Sequence, residues 1–273
     1  MLDHVAIGLG QGVIAIAYLI GVHYIGNDNR AFHAGVCGDL ANRLFQRLQH
    51  DSGACLLIAL RLLDQLLDCG NGVQQSSSAA GYDAICVTDH YNRDTFDYIE
   101  MDLSTPGSKT RDFLLGYHRL KREGEKYGIR VYAGAELRFD GSPNDYLLYG
   151  FHDELLADPE RVMSEGLEAF APKYRADGAL LIQAHPFRNK CTPAPAELLD
   201  GVEVLNLNPR HDSRNELALA YAKEHNLLMT AGSDCHRPGD EGTTGILAET
   251  LPEDSFGYAD LIRSGKYTLI RPE

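Results

Sequence analysis

Short apolar runs alternate with amphipathic segments through most of the chain. The runs predict buried strands at 84–87, 130–133, 146–149, 179–183, 202–205 and 227–230. The segments between and after them repeat apolar residues at helical spacing, which predicts helices at 111–127, 160–174, 215–225 and 258–263. Apolar strands that alternate with helices are typical of a parallel sheet covered by helices, so the pattern predicts an α/β fold.

The beginning of the chain has a different texture. Residues 1–77 carry six Asp and four Arg as their charged side chains, and they contain no Glu, Lys, Pro or Thr. Leucine-rich periodicity predicts helices at 39–50 and 54–69. We therefore divide the chain into an atypical N-terminal segment, 1–77, which we do not expect to be native-like, and a domain at 78–273.

One apolar stretch raises the question of a membrane span. Val5 to Val22 is an uncharged run of 18 residues, which reaches the lower length limit for a spanning helix. Several glycines dilute its hydrophobicity, and no Lys or Arg precedes it as in a signal peptide. We do not expect a membrane partner.

Composition and charge exclude several classes of protein. The chain has 39 acidic and 25 basic side chains, a formal net charge of −14 and a pI of about 5.2. An ordinary hydrophobic content of 44% excludes wholesale disorder, and so acidic a surface repels the backbone of long nucleic acids. The six cysteines form no CxxC pair, which predicts reduced thiols in a cytoplasmic protein. Oligomeric state is left open.

Polar and ionisable residues follow the predicted strands. In chain order they are Asp89 and His90, Glu136, His185, Asn206, and Asp234 with His236. Because the C-terminal ends of parallel strands lie at one rim, the sequence predicts a functional site there.

The residue types at that rim favour metal binding. Neutral imidazoles and carboxylates suit zinc, manganese or iron, and such an ion lowers the pKa of bound water to about 7. Asp234 and His236 lie two residues apart and so face the same side of an extended segment. Arg188 is either a phosphate ligand or an ordinary salt-bridge partner. Asp89 is either a turn residue or a partner that orients His90.

The ordered motifs resemble the polymerase and histidinol phosphatase (PHP) family. They are AGYDAICVTDH at 80–90, GAE at 134–136, AHPFR at 184–188, GVEVLN at 201–206, TAGSDCH at 230–236 and DLIRSGKYTLI at 260–270. The resemblance implies a distorted (β/α)7 barrel with two or three divalent ions at its mouth. It also implies phosphoester hydrolysis by a metal-activated hydroxide. The metal ligands implied are His90, Glu136, His185, Asp234 and His236. Arg188, near the substrate phosphate, and Asp89 are the catalytic candidates.

Two departures from the family pattern concern metal ligands. The H-x-H pair that ends the family's first strand occurs nowhere in this chain, and a later family histidine is replaced by Asn144-Asp145, of which Asp145 could serve as a ligand. Three explanations stay open for the missing pair. The N-terminal segment was replaced or read out of register, the chain is a variant with a reduced metal site, or an N-terminal His reaches the site by another path. We favour the first, under which the sheet lacks its first strand.

Two functions follow as hypotheses. The first is a metal-dependent phosphoesterase that acts on a small phosphorylated metabolite or nucleotide. The second is a PHP-like domain with an incomplete metal site, which acts as a binding or structural module. Retention of the later ligand positions favours the first hypothesis, and the missing H-x-H pair favours the second.

Overall fold

A computed structural model describes the backbone at 14–20 and 98, and both backbone and side chains at 82–97, 101, 103, 109–236, 240 and 244–271. The helices expected at 39–50 and 54–69 lie outside these residues. The boundary between residues 77 and 78 stays a prediction.

The described strands form one mixed sheet. They are β1 (Ile14–Ile20), β2 (Ala84–Thr88), β3 (His90–Tyr91), β4 (Arg130–Leu137), β5 (Tyr146–Tyr149), β6 (Leu180–Gln183), β7 (Gly201–Asn206), β8 (Leu228–Gly232), β9 (Gly245–Ala248) and β10 (Tyr267–Ile270). Their order across the sheet is β10-β9-β1-β2-β4-β5-β6-β7-β8, with β3 beside β4. The six apolar runs of the sequence all become strands.

Helices connect many of these strands. They are α1 (Arg93–Tyr98), α2 (Thr110–Phe113), α3 (Leu115–Tyr127), α4 (Pro159–Asp177), α5 (Asn215–His225) and α6 (Ser255–Ser264), with 3₁₀ turns at Asp153–Leu156 and Ala196–Leu198. The helix predicted at 111–127 is interrupted at Leu114, whereas α5 has the predicted bounds. Helix α4 begins where the Asp158 side chain accepts a hydrogen bond from the Arg161 backbone N–H at 3.1 Å.

Strand directions differ from the all-parallel expectation. β2 runs parallel to β1 and β4, and β7 runs parallel to β6 and β8, but β5 is antiparallel to both of its neighbours. β9 and β10 are antiparallel additions beside β1. The segment 138–145 between β4 and β5 is too short for a parallel crossover, so the chain turns back on itself. The seven-unit (β/α) count is therefore not confirmed, and the architecture is mixed α/β with a curled half-barrel sheet.

A single hydrogen bond shows how far the sheet curls. The Tyr267 hydroxyl on β10 donates to the main-chain oxygen of Met229 on β8 at 2.7 Å. These strands stand at opposite ends of the strand order. The curl therefore brings the two ends of the sheet together, and the carboxyl ends of its parallel strands gather around one rim.

The N-terminal segment supplies one strand of this sheet. β1 pairs in parallel with β2 from Ile16 opposite Ala84 to Ile20 opposite Thr88. The expectation that the sheet lacks its first strand is therefore wrong, because an apolar run with β-branched residues fits a sheet position whatever the composition around it. Among the described helices, none combines the length and the apolar character needed to cross a bilayer.

Alternate residues of β2, β4, β5 and β6 pack into two separate cores. On β2, Ala84 and Cys86 join a core with Tyr132 and helix α6, whereas Ile85 and Val87 join a larger core on the other face. This follows from the two-residue period of a strand. On β4 the same period places Glu136 on the face of Tyr132, which is the α6 side of the sheet.

Gly134 separates Tyr132 from Glu136 on that face. A Cβ atom at this position would lie 2.7 Å from Thr88 Cγ2 and 3.2 Å from the main-chain oxygen of Leu148. Glycine thus lets β2 and β4 pack closely under the rim, where His90 begins β3 just after β2 and Glu136 lies near the end of β4.

Candidate metal centre

The strand ends bring most of the predicted residues to one rim. His90 follows β2, Glu136 lies near the end of β4, and His185 follows β6. Because β5 is antiparallel, the residue before it, Asp145, reaches the same rim, where its main-chain oxygen accepts a hydrogen bond from the Ala184 N–H at 2.9 Å.

Four of these side chains form a buried group that we call the Glu136 cluster: His90, Glu136, Asp145 and His185. The two carboxylate oxygens of Glu136 face different imidazoles, with Oε2 3.0 Å from His90 Nδ1 and Oε1 3.5 Å from His185 Nε2. One ligand atom from each of His90, Glu136 and Asp145 lies within 4.8 Å of the others. All four side chains are buried.

The carboxyl groups here are held in an unfavourable environment. Burial raises the pKa of Glu136 to about 7, with a further contribution from the negative charge of Asp145. Burial alone raises the pKa of the neighbouring Asp89 to about 7. Asp145 is fixed from outside by a two-pronged ion pair, from Arg138 Nε at 2.7 Å and Nη2 at 2.8 Å.

A second group, the Asp234 cluster, lies beside the first and contains Arg188, Asn206, Asp234 and His236. Arg188 Nη2 contacts Asp234 Oδ2 and also bonds Asn206 Oδ1 at 2.9 Å. His236 Nδ1 lies 3.1 Å from Asp234 Oδ1. Burial acts to raise the pKa of Asp234, but the His236 hydrogen bond and the Arg188 charge outweigh it, so this pKa falls below its usual range.

The two clusters are contiguous. The imidazole centroids of His90 and His236 are 5.8 Å apart. Glu203 on β7 connects the clusters from below, because its Oε2 accepts from the His185 backbone N–H at 3.0 Å and from Asn206 Nδ2 at 2.9 Å. The residues that follow the predicted strands do not include Glu203, although a carboxylate within an otherwise apolar strand is itself a usable signal of a site.

A further support of His236 was also missed. Its backbone N–H donates to Asp240 Oδ2 at 2.9 Å. Arg210 donates to the same carboxylate, from Nη1 to Oδ1 at 2.6 Å and from Nη2 to Oδ2 at 2.7 Å. Arg210 and Asp240 lie in different loops, and neither follows a predicted strand. No local pattern could have indicated this pair.

Two of the predicted site residues have strained backbones. His185 has φ 28° and Asp234 has φ 50°, values that residues other than glycine rarely adopt. Such conformations persist where the surrounding structure enforces them, and they concentrate at functional sites. Each residue lies two positions after the end of its strand, β6 for His185 and β8 for Asp234, so both strained positions are at the rim.

The structure thus brings all seven predicted site residues to the same region. His90, Glu136 and His185 meet with Asp145, and Asp234, His236 and Arg188 meet with Asn206. Asp89 is buried beside them, and its main-chain oxygen accepts from the Glu136 N–H at 2.9 Å. Their roles as ligands and catalysts stay predictions. The imidazole and carboxylate donors of the Glu136 cluster, buried and within 4.8 Å for three of them, fit a divalent ion.

Comparisons with known proteins bear on this geometry. The PHP-associated family model matches residues 212–254. No curated protein sequence matches the chain.

Two solved structures share the fold. PsfC from Pseudomonas syringae PB-5123 is 19% identical, with a TM-score of 0.54, over 76% of this chain and 84% of that one. A two-domain protein from Bacteroides vulgatus ATCC 8482, which contains a predicted PHP-like metal-dependent phosphoesterase, is 16% identical with a TM-score of 0.52. That match covers 74% of this chain and 60% of the other. The resemblance to the PHP family is therefore confirmed, and the similarity to both structures is one of fold.

Proposed function

We propose that this protein is a metal-dependent hydrolase that cleaves a phosphoester of a small phosphorylated metabolite or nucleotide. The observation that carries the proposal concerns Glu136, whose carboxylate is 1% exposed and lies between two imidazoles. The pKa of Glu136 is raised to about 7. Perturbed carboxyls of this kind concentrate at functional sites, and a bound cation would remove the penalty of burying the charge.

The residues that would hold the ion are those of the Glu136 cluster, and zinc, manganese and iron suit its donors. When bound, a divalent ion activates water and neutralises charge on a phosphoryl group. The protein must supply deprotonated ligands. Asp145 is positioned by the two-pronged contact with Arg138, and His185 is positioned by Glu203 through its backbone N–H.

Two further residues would act on the substrate. The Arg188 bonds to described residues all use Nη2, which leaves Nη1 to donate to a phosphate oxygen. Asp89 is our candidate for moving a proton, because a carboxyl with a pKa near 7 can both hold and release a proton at neutral pH.

Charge favours a small anionic substrate. With a net charge of −14, the protein repels an extended polyanion, and only local cations at the rim can attract phosphate. We infer a reducing compartment such as the cytoplasm, since none of the three cysteines that the structure describes, Cys86, Cys191 and Cys235, forms a disulfide bond.

Metal analysis combined with a phosphatase assay tests the proposal. We expect the purified protein to contain at least one equivalent of Zn, Mn or Fe and to hydrolyse p-nitrophenyl phosphate. A chelator should abolish this activity, and the metal should restore it. His152→Ala, which removes an exposed imidazole away from the rim, is the matched control and should change neither result. Less than one equivalent together with no hydrolysis would instead favour a binding or structural module.

A further inference from the structure

We infer that Arg188 is a built-in cation of the Asp234 cluster, and that this chain consequently binds a single divalent ion, in the Glu136 cluster. The inference rests on the proposed function, because it presumes that the rim binds metal. It departs from the set of two or three ions that the family resemblance implies, and it removes Asp234 from the ligands of the ion.

The first support is the convergence of oxygen atoms on one nitrogen. Arg188 Nη2 contacts Asp234 Oδ2, and it lies 2.9 Å from Asn206 Oδ1 and 3.2 Å from Ser213 Oγ. These oxygens come from three separate places in the fold: the segment after β8, the end of β7 and the loop before α5. A carboxylate, an amide oxygen and a hydroxyl that surround one point are the donors that a hard cation would use. Here a guanidinium nitrogen occupies that point.

The second support is the rigidity of this arrangement. Asn206 is fixed by Asn215 at the start of α5, whose side chain bonds the Asn206 backbone N–H at 2.9 Å and its main-chain oxygen at 3.0 Å. The Arg188 backbone is held as well, since its N–H donates to the His185 oxygen at 3.0 Å and its own oxygen accepts from Cys191 at 2.8 Å. The guanidinium is therefore placed by the fold and does not depend on a mobile surface side chain.

The third support is charge. Asp234 already has a guanidinium and an imidazole as partners, and its side chain is 1% exposed. A divalent ion at the same carboxylate would meet the positive charge of Arg188 at close range in a poorly solvated place, which is strongly unfavourable. Among the described residues, the groups that face the Glu136 oxygens at comparable distances are imidazoles. Arg138 contacts Asp145 of that cluster and not Glu136, so Glu136 is the carboxylate that most requires an external cation.

Metal stoichiometry tests the inference without using activity. The full-length protein is stripped with a chelator, dialysed to equilibrium against Zn²⁺ or Mn²⁺, and analysed for bound metal by mass spectrometry. We expect one ion per chain for the wild type and a second ion for Arg188→Ala, because that change frees the three oxygens. Arg188→Lys keeps a positive charge and should stay at one ion.

Arg93→Gln is the matched control for charge. Arg93 pairs with Asp140 and Glu160 at the surface, so its replacement frees two carboxylates away from the rim while it removes the same single charge. We expect it to stay at one ion. A second ion in this variant would show that added negative charge alone attracts metal, which would overturn the inference.

Asp234→Asn provides a test that does not depend on the folding of Arg188 variants. If Asp234 is not a ligand, this variant keeps the single ion, and loss of the ion overturns the inference. Two or three ions in the wild type would also overturn it while leaving the proposed function intact. No ion in either the wild type or Arg188→Ala would overturn the proposed function and this inference with it.

Discussion

Two buried carboxylates on one rim, Glu136 and Asp234, have pKa values that are shifted in opposite directions. Glu136 and Asp234 are each 1% exposed, and each has an imidazole nitrogen within about 3 Å of an oxygen. Burial raises the pKa of Glu136 to about 7, whereas the pKa of Asp234 falls below its usual range. The difference is Arg188, whose guanidinium contacts Asp234 and has no counterpart at Glu136 among the described residues.

The comparison separates two uses of the same residue types. A buried carboxylate that the protein itself neutralises needs no external cation, whereas one that lacks a compensating charge is available to such a cation. The Glu136 cluster is therefore the place where we expect metal to bind, and the Asp234 cluster is the place where we expect the structure to depend on an internal ion pair.

The largest effect is expected from Glu136→Gln. The amide keeps the size of the side chain but removes the charge that a divalent ion requires. Changes to the outer partners of metal ligands lower affinity by roughly 10- to 100-fold, and loss of a central ligand should exceed that range. We expect no retained metal and hydrolysis at the background level, measured by metal analysis and phosphatase assay.

Glu165→Gln is the control for this change. Glu165 lies on helix α4, where it pairs with Arg161 and Lys173 away from the rim. If Glu136→Gln retains metal and activity as this control does, the distinction between the two clusters is wrong.

Asp234→Ala is expected to act on stability. It leaves the Arg188 guanidinium, whose side chain is 15% exposed, without its anion. Breaking a buried ion pair by removal of one partner costs about 3–5 kcal/mol. We expect a loss of that order in the free energy of unfolding in urea, measured on metal-free protein. Asp260→Ala, at a carboxylate that is 75% exposed, should produce no measurable change. Equal results for the two variants would contradict the built-in ion pair.

The pH dependence of stability distinguishes the clusters in the metal-free protein. The pKa of Glu136 rises from an ordinary 4.5 to about 7 on folding, so between these values the folded state binds more protons than the unfolded state. Stability should therefore fall as pH rises through this window, by up to about 3 kcal/mol from Glu136. Asp234, with a lowered pKa, contributes stability that is constant above pH 4 and is lost only in stronger acid.

Urea unfolding near pH 5 and near pH 8 measures this difference. We expect the loss of stability between the two pH values to be smaller in Glu136→Gln than in the wild type. An equal loss in both would show that Glu136 carries no raised pKa. Asp89, whose pKa burial raises to about 7, should account for part of the loss that remains.

The sequence predicted the positions of strands along the chain better than their directions and pairing partners in the sheet. Apolar runs such as 130–133 and 146–149 are local signals, and they became strands. The direction of β5 depends on how short its connection to β4 is, and the place of β1 depends on pairing with a strand far along the chain. Neither is visible in the periodicity of a single segment.

The site divides in the same way. Residues that lie within two positions of a strand end, such as His90 after β2 and His185 after β6, were predictable because parallel strand ends meet at one rim. Their partners were not, since the contact of Arg188 with Asp234 and that of Arg138 with Asp145 depend on side-chain reach across the fold. The split of the rim into two clusters is therefore information that only the three-dimensional structure contains.

The smallest effect is expected at Arg138, which holds Asp145 from outside the Glu136 cluster. Arg138→Gln removes the two-pronged contact but no ligand, so metal affinity should fall by ~10-fold, the lower end of the range for outer partners. Competition with a fluorescent chelator measures this change. Arg210→Gln removes the equivalent two-pronged contact with Asp240 beside the Asp234 cluster and should leave the metal affinity unchanged. If both variants weaken binding equally, metal binding depends on the whole rim and not on the Glu136 cluster alone.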